Sequence, residues 1–327
     1  MTKKIILVVG GAGYIGSHTS WLLHKCGHEV IILDALLHGQ SFDHKFATLI
    51  KDDFANIATL KNIFTTYKID TVMHFAAFIE VGESVKNPKK FYDNNVVKTL
   101  VLLNAMLEHN VKNFIFSSSC AVYGIPQQPT LDEAHPYAPI NPYGKNKLTV
   151  EFALQDYSHA YDLNYISLRY FNASGSLSEQ GLGEYHVPET HVIPLLLRSA
   201  MQNKKFFIFG DNYPTPDGTA IRDYVHVLDI AQAHILAFDY LQEHAKSNTF
   251  NLGSENGYSV KQLVEKTEQI CKTKVKTKIL PRRDGDVPIL IANSTKAKEE
   301  LGWAAKHSTL DQILQSAYAW ELKKNSS

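Results

Sequence analysis

The segment Gly10-Gly11-Ala12-Gly13-Tyr14-Ile15-Gly16 restricts this chain more than any other. It follows an apolar run, Ile5–Val9, and opens a helical stretch, Tyr14–Lys25, that stops at Gly27. A strand, a glycine turn and a helix in that order bring backbone N–H groups and the positive end of a helix to where a pyrophosphate can approach. Gly10, Gly13 and Gly16 are the glycines that matter, spaced GxxGxxG rather than GxGxxG, and Tyr14 and Ile15 lie between them. Glycines alone are weak evidence, because turns use them everywhere. Followed by Asp34 at the end of the next apolar run, Glu29–Leu33, they make a dinucleotide site the expectation.

Asp34 can accept hydrogen bonds from an adenosine ribose diol, and its charge would repel a 2′-phosphate. The expected cofactor is therefore NAD rather than NADP. Asp53 and Phe54 follow a weaker run, Thr48–Ile50, where a third strand would end near an adenine.

The alternation continues with a helix at Ile57–Tyr67, a strand at Thr71–Phe75, a helix with Leu100, Leu103 and Leu107 on one face, and a strand at Asn113–Ser117. Asn141-Pro142 reads as a helix cap and first-turn proline, starting a helix from Tyr143 to Tyr161 that precedes a strand at Tyr165–Tyr170. This is an α/β chain, a Rossmann-type doubly wound parallel sheet, with an NAD-binding domain over residues 1–170. Beyond it the regularity breaks. Ala173–Glu189 reads as a loop, followed by a helix at His191–Gln202, a strand at Phe206–Phe209, a turn-rich stretch at Asp211–Gly218, and helices at Val227–Gln242 and Val260–Thr273. Residues 171–327 form a smaller C-terminal substrate-binding α/β portion, part of 223–253 returns to the core, and the tail Lys323–Ser327 is expected to fray. A length of 327 residues suits about two domains.

Lys plus Arg and Asp plus Glu each total 33, so the net charge is zero and no field attracts a polyanion; neither nucleic acid nor membrane is an expected partner. The opening apolar run is too short for a signal-peptide core, and no stretch is long enough to span a membrane. Three scattered cysteines, Cys26, Cys120 and Cys271, suggest a reducing compartment, and the expectation is a soluble cytoplasmic protein. His24-Lys25-Cys26-Gly27-His28 is the tight histidine cluster of the sequence. It lies at a helix end with no second ligand group at zinc spacing, so no metal is expected.

Tyr143 and Lys147 stand four residues apart on one helix face, after a strand that ends in Ser117-Ser118-Ser119. A phenol titrates near 10, too high for a good base at neutral pH, and a neighbouring ammonium should favour phenolate. With Ser119 sharing a hydrogen bond to the same hydroxyl, the group suits oxidation of a secondary alcohol by hydride transfer.

These features resemble the extended short-chain dehydrogenase/reductase superfamily, and more narrowly the UDP-glucose (UDP-galactose) 4-epimerase family. The matching segments are GGAGYIGSHT, VGESV with YDNNV, NFIFSSSCAVYG, NPYGKNKL, LRYFN, IFGDNYPTPDGTAIRDYVHV, FNLG and PRRDGDVP, running from Val9 to Pro288. The resemblance implies that Tyr143 is the catalytic base, Lys147 its helper and a ligand of the nicotinamide ribose, and Ser119 a bridge to the sugar hydroxyl. It implies cofactor contacts at Phe75, Ala76 and Asn94, with Ser117 and Tyr170 beside them. Asn172 and His191 would touch the substrate. Arg222 and Arg283 would clamp a diphosphate, a task suited to the guanidinium fork, with Phe209 near the uracil and Asp286 on the uridine ribose. The implied reaction oxidises the sugar at C4, lets the 4-keto sugar turn over, and returns the hydride to the other face, with a UDP-sugar as partner. A homodimer is also implied, with the Leu100 helix and the Tyr143 helix at its interface.

Some positions depart from the family pattern. Ile79 replaces a lysine of some members, Ala77 a glycine, and His191 an asparagine. Leu290 stands where a tyrosine is associated with hexoses only and a small residue with N-acetylhexosamines too. UDP-xylose/arabinose or UDP-N-acetylhexosamine 4-epimerisation is therefore the alternative. A nucleotide-sugar 4,6-dehydratase would need an acid/base pair after the serine, where Cys120-Ala121 stand. A non-catalytic NAD-sensing module would not be expected to keep Tyr143 and Lys147.

Overall fold

The computed structural model describes residues 3–37, 45–283 and 285–326. The chain runs as β1 (Ile5–Val9), α1 (Tyr14–Lys25), β2 (Glu29–Asp34), β3 (Thr48–Lys51), α2 (Ile57–Thr66) and β4 (Thr71–His74). Two short helices, α3 (Val81–Lys86) and α4 (Pro88–Tyr92), lead through a π-helical turn at Asp93–Val97 into α5 (Lys98–Glu108), β5 (Asn113–Ser119), α6 (Pro142–Tyr161) and β6 (Asn164–Tyr170). Then come β7 (Asn172–Ser174), α7 (Val192–Met201), β8 (Lys205–Phe209), β9 (Ile221–His226), α8 (Val227–His244) and β10 (Asn248–Leu252). The chain ends with β11 (Gly257–Ser259), α9 (Val260–Cys271), β12 (Lys276–Leu280), β13 (Ile289–Leu290), α10 (Thr295–Leu301) and α11 (Leu310–Ser326).

Among the described residues, seven parallel strands form the main sheet in the order β10-β6-β5-β4-β1-β2-β3. Alternation along β1 serves two cores: Ile6 and Val8 face one side, with Leu23, Ile230, Phe238 and Trp303, while Leu7 and Val9 face the other, with Leu60, Ile63, Leu102 and Val150. Burial on both faces explains why β1 reads as an unbroken apolar run. Strand order reverses between β1 and β4, which leaves a crevice at their C-terminal ends, the usual ligand position in such sheets.

Outside this sheet, β9 is flanked by β11 and β13 and also pairs with β7, while β8 pairs with β12. The structure adds elements that the sequence reading missed. Residues 172–174, overlapping the start of the expected loop Ala173–Glu189, form β7, and within the 223–253 stretch a strand not read from the sequence, β10, pairs with β6 in the main sheet. The tail was expected to fray from Lys323, but α11 continues to Ser326. Ser327, and Asp284 of the PRRDGDVP segment, lie outside the described residues.

Candidate active site

The glycine loop is shaped for close approach of a ligand. Gly10 has φ +76°, and a Cβ there would sit 2.5 Å from the Ala76 amide nitrogen; one on Gly16 would lie 2.2 Å from the Gly10 carbonyl oxygen. Gly13 caps α1 with no side-chain bond, so N–H groups of the first turn are left for a ligand. The Asp34 carboxylate accepts from the amides of Ala12 (3.0 Å) and Leu36 (2.8 Å), which ties the end of β2 to the loop. Backbone donors, a helix N-terminus and a carboxylate at the end of the next strand together fit an NAD adenosine diphosphate.

These groups border a cleft of about 440 Å³, inside the roughly 300–1,000 Å³ usual for ligand sites. Gly10, Gly13, Tyr14, Ile15, Gly16, Asp34, Asp53, Phe54, Phe75, Ala76, Asn94, Ser117, Ser119, Tyr143, Lys147, Tyr170, Asn172 and His191 all line it. Ala77 and Ile79, two of the departures, line it as well. Asp53 also pairs with Lys98 on α5. Asn94 donates to Asn95 (3.0 Å), and Asn95 in turn holds the Phe78 backbone through two 2.9 Å bonds.

α6 carries the chemical groups. Asn141 caps it by accepting from the Gly144 amide (2.9 Å), and Pro142 occupies its first turn. Tyr143 is thus presented at the cleft wall, which it lines together with Ser119 from the end of β5. Lys147, one turn later, donates to the Ser117 carbonyl (2.7 Å) and lies over the Phe116 ring. The Ser117 hydroxyl meets the Tyr170 hydroxyl.

The electrostatics correct one expectation. Burial pushes the Tyr143 phenol up to about 12; Ser119 opposes this, while Cys120 and Glu80 add to it. Burial, not Lys147, is the largest influence on the phenol; the Lys147 nitrogen is 5.8 Å from the ring centroid and donates to a carbonyl. Lys147 is itself pushed down to about 7 by burial, with Glu151 opposing the fall.

The other expected substrate residues form a second group. Asp286 accepts from Arg222 (3.4 Å) and Arg283 (3.2 Å), and the Arg283 guanidinium lies 4.7 Å from the Phe209 ring centroid. Leu290 pairs in register with Arg222 and packs against the cluster containing Cys120 and Phe171, both of which line the cleft. Asn172 donates to the Asp223 carbonyl (2.6 Å).

The family model for NAD dependent epimerases/dehydratases matches residues 6–253. The chain belongs to this family. It is 46% identical to the UDP-glucose 4-epimerase of Halalkalibacterium halodurans over 316 residues, 96% of this chain and 95% of that one. It is 45% identical to that of Rhizobium meliloti over 326 residues, 99% of each. Its fold is similar to the crystal structure of UDP-glucose 4-epimerase from Brucella ovis in complex with NAD, with a TM-score of 0.92, 42% identity and coverage of 96% and 97% of the two chains. The Bifidobacterium longum UDP-glucose 4-epimerase, in complex with NAD+ and UDP, matches with a TM-score of 0.91, 36% identity and coverage of 98% and 99%.

In this epimerase-family cleft, sequence reasoning overlooked the support beneath α6. Glu151, a further turn beyond Lys147, accepts from Ser118 (2.5 Å) and forms a buried ion pair with Arg169. Arg169 donates to the hydroxyls of Tyr123 (2.8 Å) and Tyr137 (2.9 Å). A signal was present: a glutamate four residues after the lysine, on the same helix face.

Proposed function

We propose that this chain interconverts UDP-glucose and UDP-galactose with bound NAD. The observation that carries the reading is that Ser119, Tyr143 and Lys147 line the same cleft that the glycine loop borders. Near-full-length similarity to UDP-glucose 4-epimerases supports it. When bound at Gly10, Gly13, Gly16 and Asp34, NAD supplies hydride acceptance and return. The protein supplies the rest. As the phenolate, a form that the positive charge of bound NAD+ would favour over the protonated phenol of the empty site, Tyr143 takes the proton from the sugar 4-hydroxyl and later gives it back, and Ser119 holds that oxygen in line. Lys147 braces the base from the next helical turn and faces the nicotinamide ribose. Arg222 and Arg283 hold the diphosphate, with Phe209 and Asp286 at the uridine, so the sugar can turn while its nucleotide stays anchored. Residues 1–170 bind the cofactor and residues 171–327 the nucleotide sugar, with β10 returned to the cofactor side.

A broader sugar range is the second reading. Leu290 is neither a tyrosine nor a small residue, and a Campylobacter jejuni UDP-Glc/GlcNAc 4-epimerase shares 41% identity with a TM-score of 0.85. A homodimer is part of the proposal, supported by exposed Val97 before α5 and exposed Phe152 on α6. Three unpaired cysteines support a cytoplasmic location, and among the described residues no helix is long and apolar enough to cross a membrane.

Purified protein should convert UDP-galactose to UDP-glucose with no added reductant. Tyr143→Phe should lower kcat by roughly 10²–10⁴-fold while NAD remains bound, as read by absorbance of the released nucleotide. A wild type that turns over only UDP-pentoses or UDP-N-acetylhexosamines would replace the hexose assignment.

A further inference from the structure

The segment Glu184-Tyr185-His186-Val187-Pro188-Glu189-Thr190-His191, which leads into α7, places two carboxylates and two imidazoles around one point. One ligand atom from each of Glu184, His186, Glu189 and His191 lies within 4.8 Å of the other three. Glu184 Oε1 is 2.7 Å from His191 Nδ1 and 3.4 Å from His186 Nδ1, and Glu189 Oε1 is 3.0 Å from His191 Nδ1. Four ligands at zinc–nitrogen and zinc–oxygen bond lengths of about 2.0–2.1 Å stand roughly 3.3 Å apart in a tetrahedron. The measured separations bracket that value.

Charge points the same way. The Glu184 and Glu189 side chains are 7% and 3% exposed, and two carboxylates this buried need cations near both. The neighbouring cations reach only the far oxygen of Glu189 and the backbone of Glu184. Arg198 binds Glu189 Oε2 (3.3 Å) and Glu321 (3.0 Å), and Lys324 binds Glu321 (2.6 Å) and the Glu184 carbonyl oxygen (3.3 Å). The Oε1 atoms of both glutamates face His191 Nδ1, and Glu189 Oε1 also accepts from the amides of Thr190 (2.9 Å) and His191 (3.0 Å).

We propose that Glu184, His186, Glu189 and His191 form a tetrahedral site for one divalent cation of the zinc class. Two imidazole nitrogens and two carboxylate oxygens suit zinc, whereas calcium and magnesium require six or more ligands, mostly oxygen. Four protein ligands close the coordination sphere, so the role is structural. The ion would staple the loop between β7 and α7 to itself, next to α11, whose Trp320 donates to the Glu184 carbonyl (2.8 Å). Around it, Arg198 and the Thr190 amide, which donates to Glu189 (2.9 Å), hold the Glu189 ligand in orientation. His191 and Glu184 also line the catalytic cleft, so the staple shapes its wall. The site stands independently of which sugar the cleft accepts.

The test uses full-length, untagged protein, freed of metal with a chelator and titrated with Co2+. The expected result is a saturable visible spectrum of tetrahedral cobalt at one equivalent per chain, bleached by one equivalent of Zn2+, with Zn2+ also raising Tm. His186→Ala and Glu189→Gln should each weaken Co2+ binding by at least about tenfold, with circular dichroism confirming the fold. His24→Ala/His28→Ala should bind as the wild type does. Absence of saturable binding by the wild type would overturn the proposal, and so would a weak octahedral spectrum, or a spectrum lost in His24→Ala/His28→Ala but kept in His186→Ala. The wild-type titration decides the question even if a ligand variant fails to fold.

Discussion

Tyr143 and Lys147 share a helix face, yet burial moves their protons in opposite directions. The phenol is held protonated, up to about 12, and the amine is brought down to about 7. An ordinary lysine titrates near 10.4, so between about pH 7 and 10 the unfolded chain binds the proton that folded Lys147 has released. Stability contributed by this group therefore rises with pH across that window. Lys147→Met removes the contribution, and the increase in urea midpoint from pH 7 to pH 10 should be smaller in the variant. An identical pH dependence in the two proteins would mean that the amine titrates normally. The four-residue spacing of the pair was legible in the sequence. The direction of the phenol's shift was not, because it depends on which groups surround the ring and on where the ammonium donates.

At the level of the element, α6 holds the base in place. Asn141 and Pro142 announced its start, and the structure starts it at Pro142, with Asp162 in the left-handed region (φ 56°) at its end. Asn141→Ala removes the bond to the Gly144 amide and should cost about 1 kcal/mol of stability by denaturant titration. Fraying of the first turn should also lower kcat more than it raises KM, because Tyr143 lies in that turn. A variant with unchanged kcat would show that the contacts of Tyr143 hold it without the cap. The strands were less evenly legible. β1 and β2 read clearly because both faces are buried, whereas β9 (Ile-Arg-Asp-Tyr-Val-His) and β10 (Asn-Thr-Phe-Asn-Leu) mix in polar residues whose bonding is tertiary. Asp223 accepts from the amides of Ser254, Glu255 and Ala292, and Asn251 accepts from Tyr123.

Across the whole molecule, one buried network joins the two halves. Arg169 on β6 and Glu151 on α6, 1% and 2% exposed, pair beneath the catalytic helix. Arg169 also reaches Tyr123, and through its hydroxyl Asn251 of β10 (2.7 Å). Removing one partner of such a pair leaves a buried charge, so Arg169→Met should destabilise the protein by about 3–5 kcal/mol in equilibrium unfolding. The double variant Glu151→Leu/Arg169→Met should lose less than Arg169→Met alone. A double variant at least as unstable as that single one would show that the network's links to Tyr123 and Asn251 outweigh the pair itself.

Local order was enough to determine the nucleotide-binding half: glycines between a strand and a helix, an acid at the next strand end, and Tyr143 four residues from Lys147 are short-range patterns that backbone geometry turns directly into a site. What only the folded chain decided depends on long-range contact. The register of β10 on β6, the meeting of Arg222, Arg283 and Asp286, and the Arg169–Glu151 pair each join residues distant in sequence. The convergence of Glu184, His186, Glu189 and His191 lies within eight residues, yet it too was settled in space, because the path of the loop, and not its spacing alone, turns four side chains to one point.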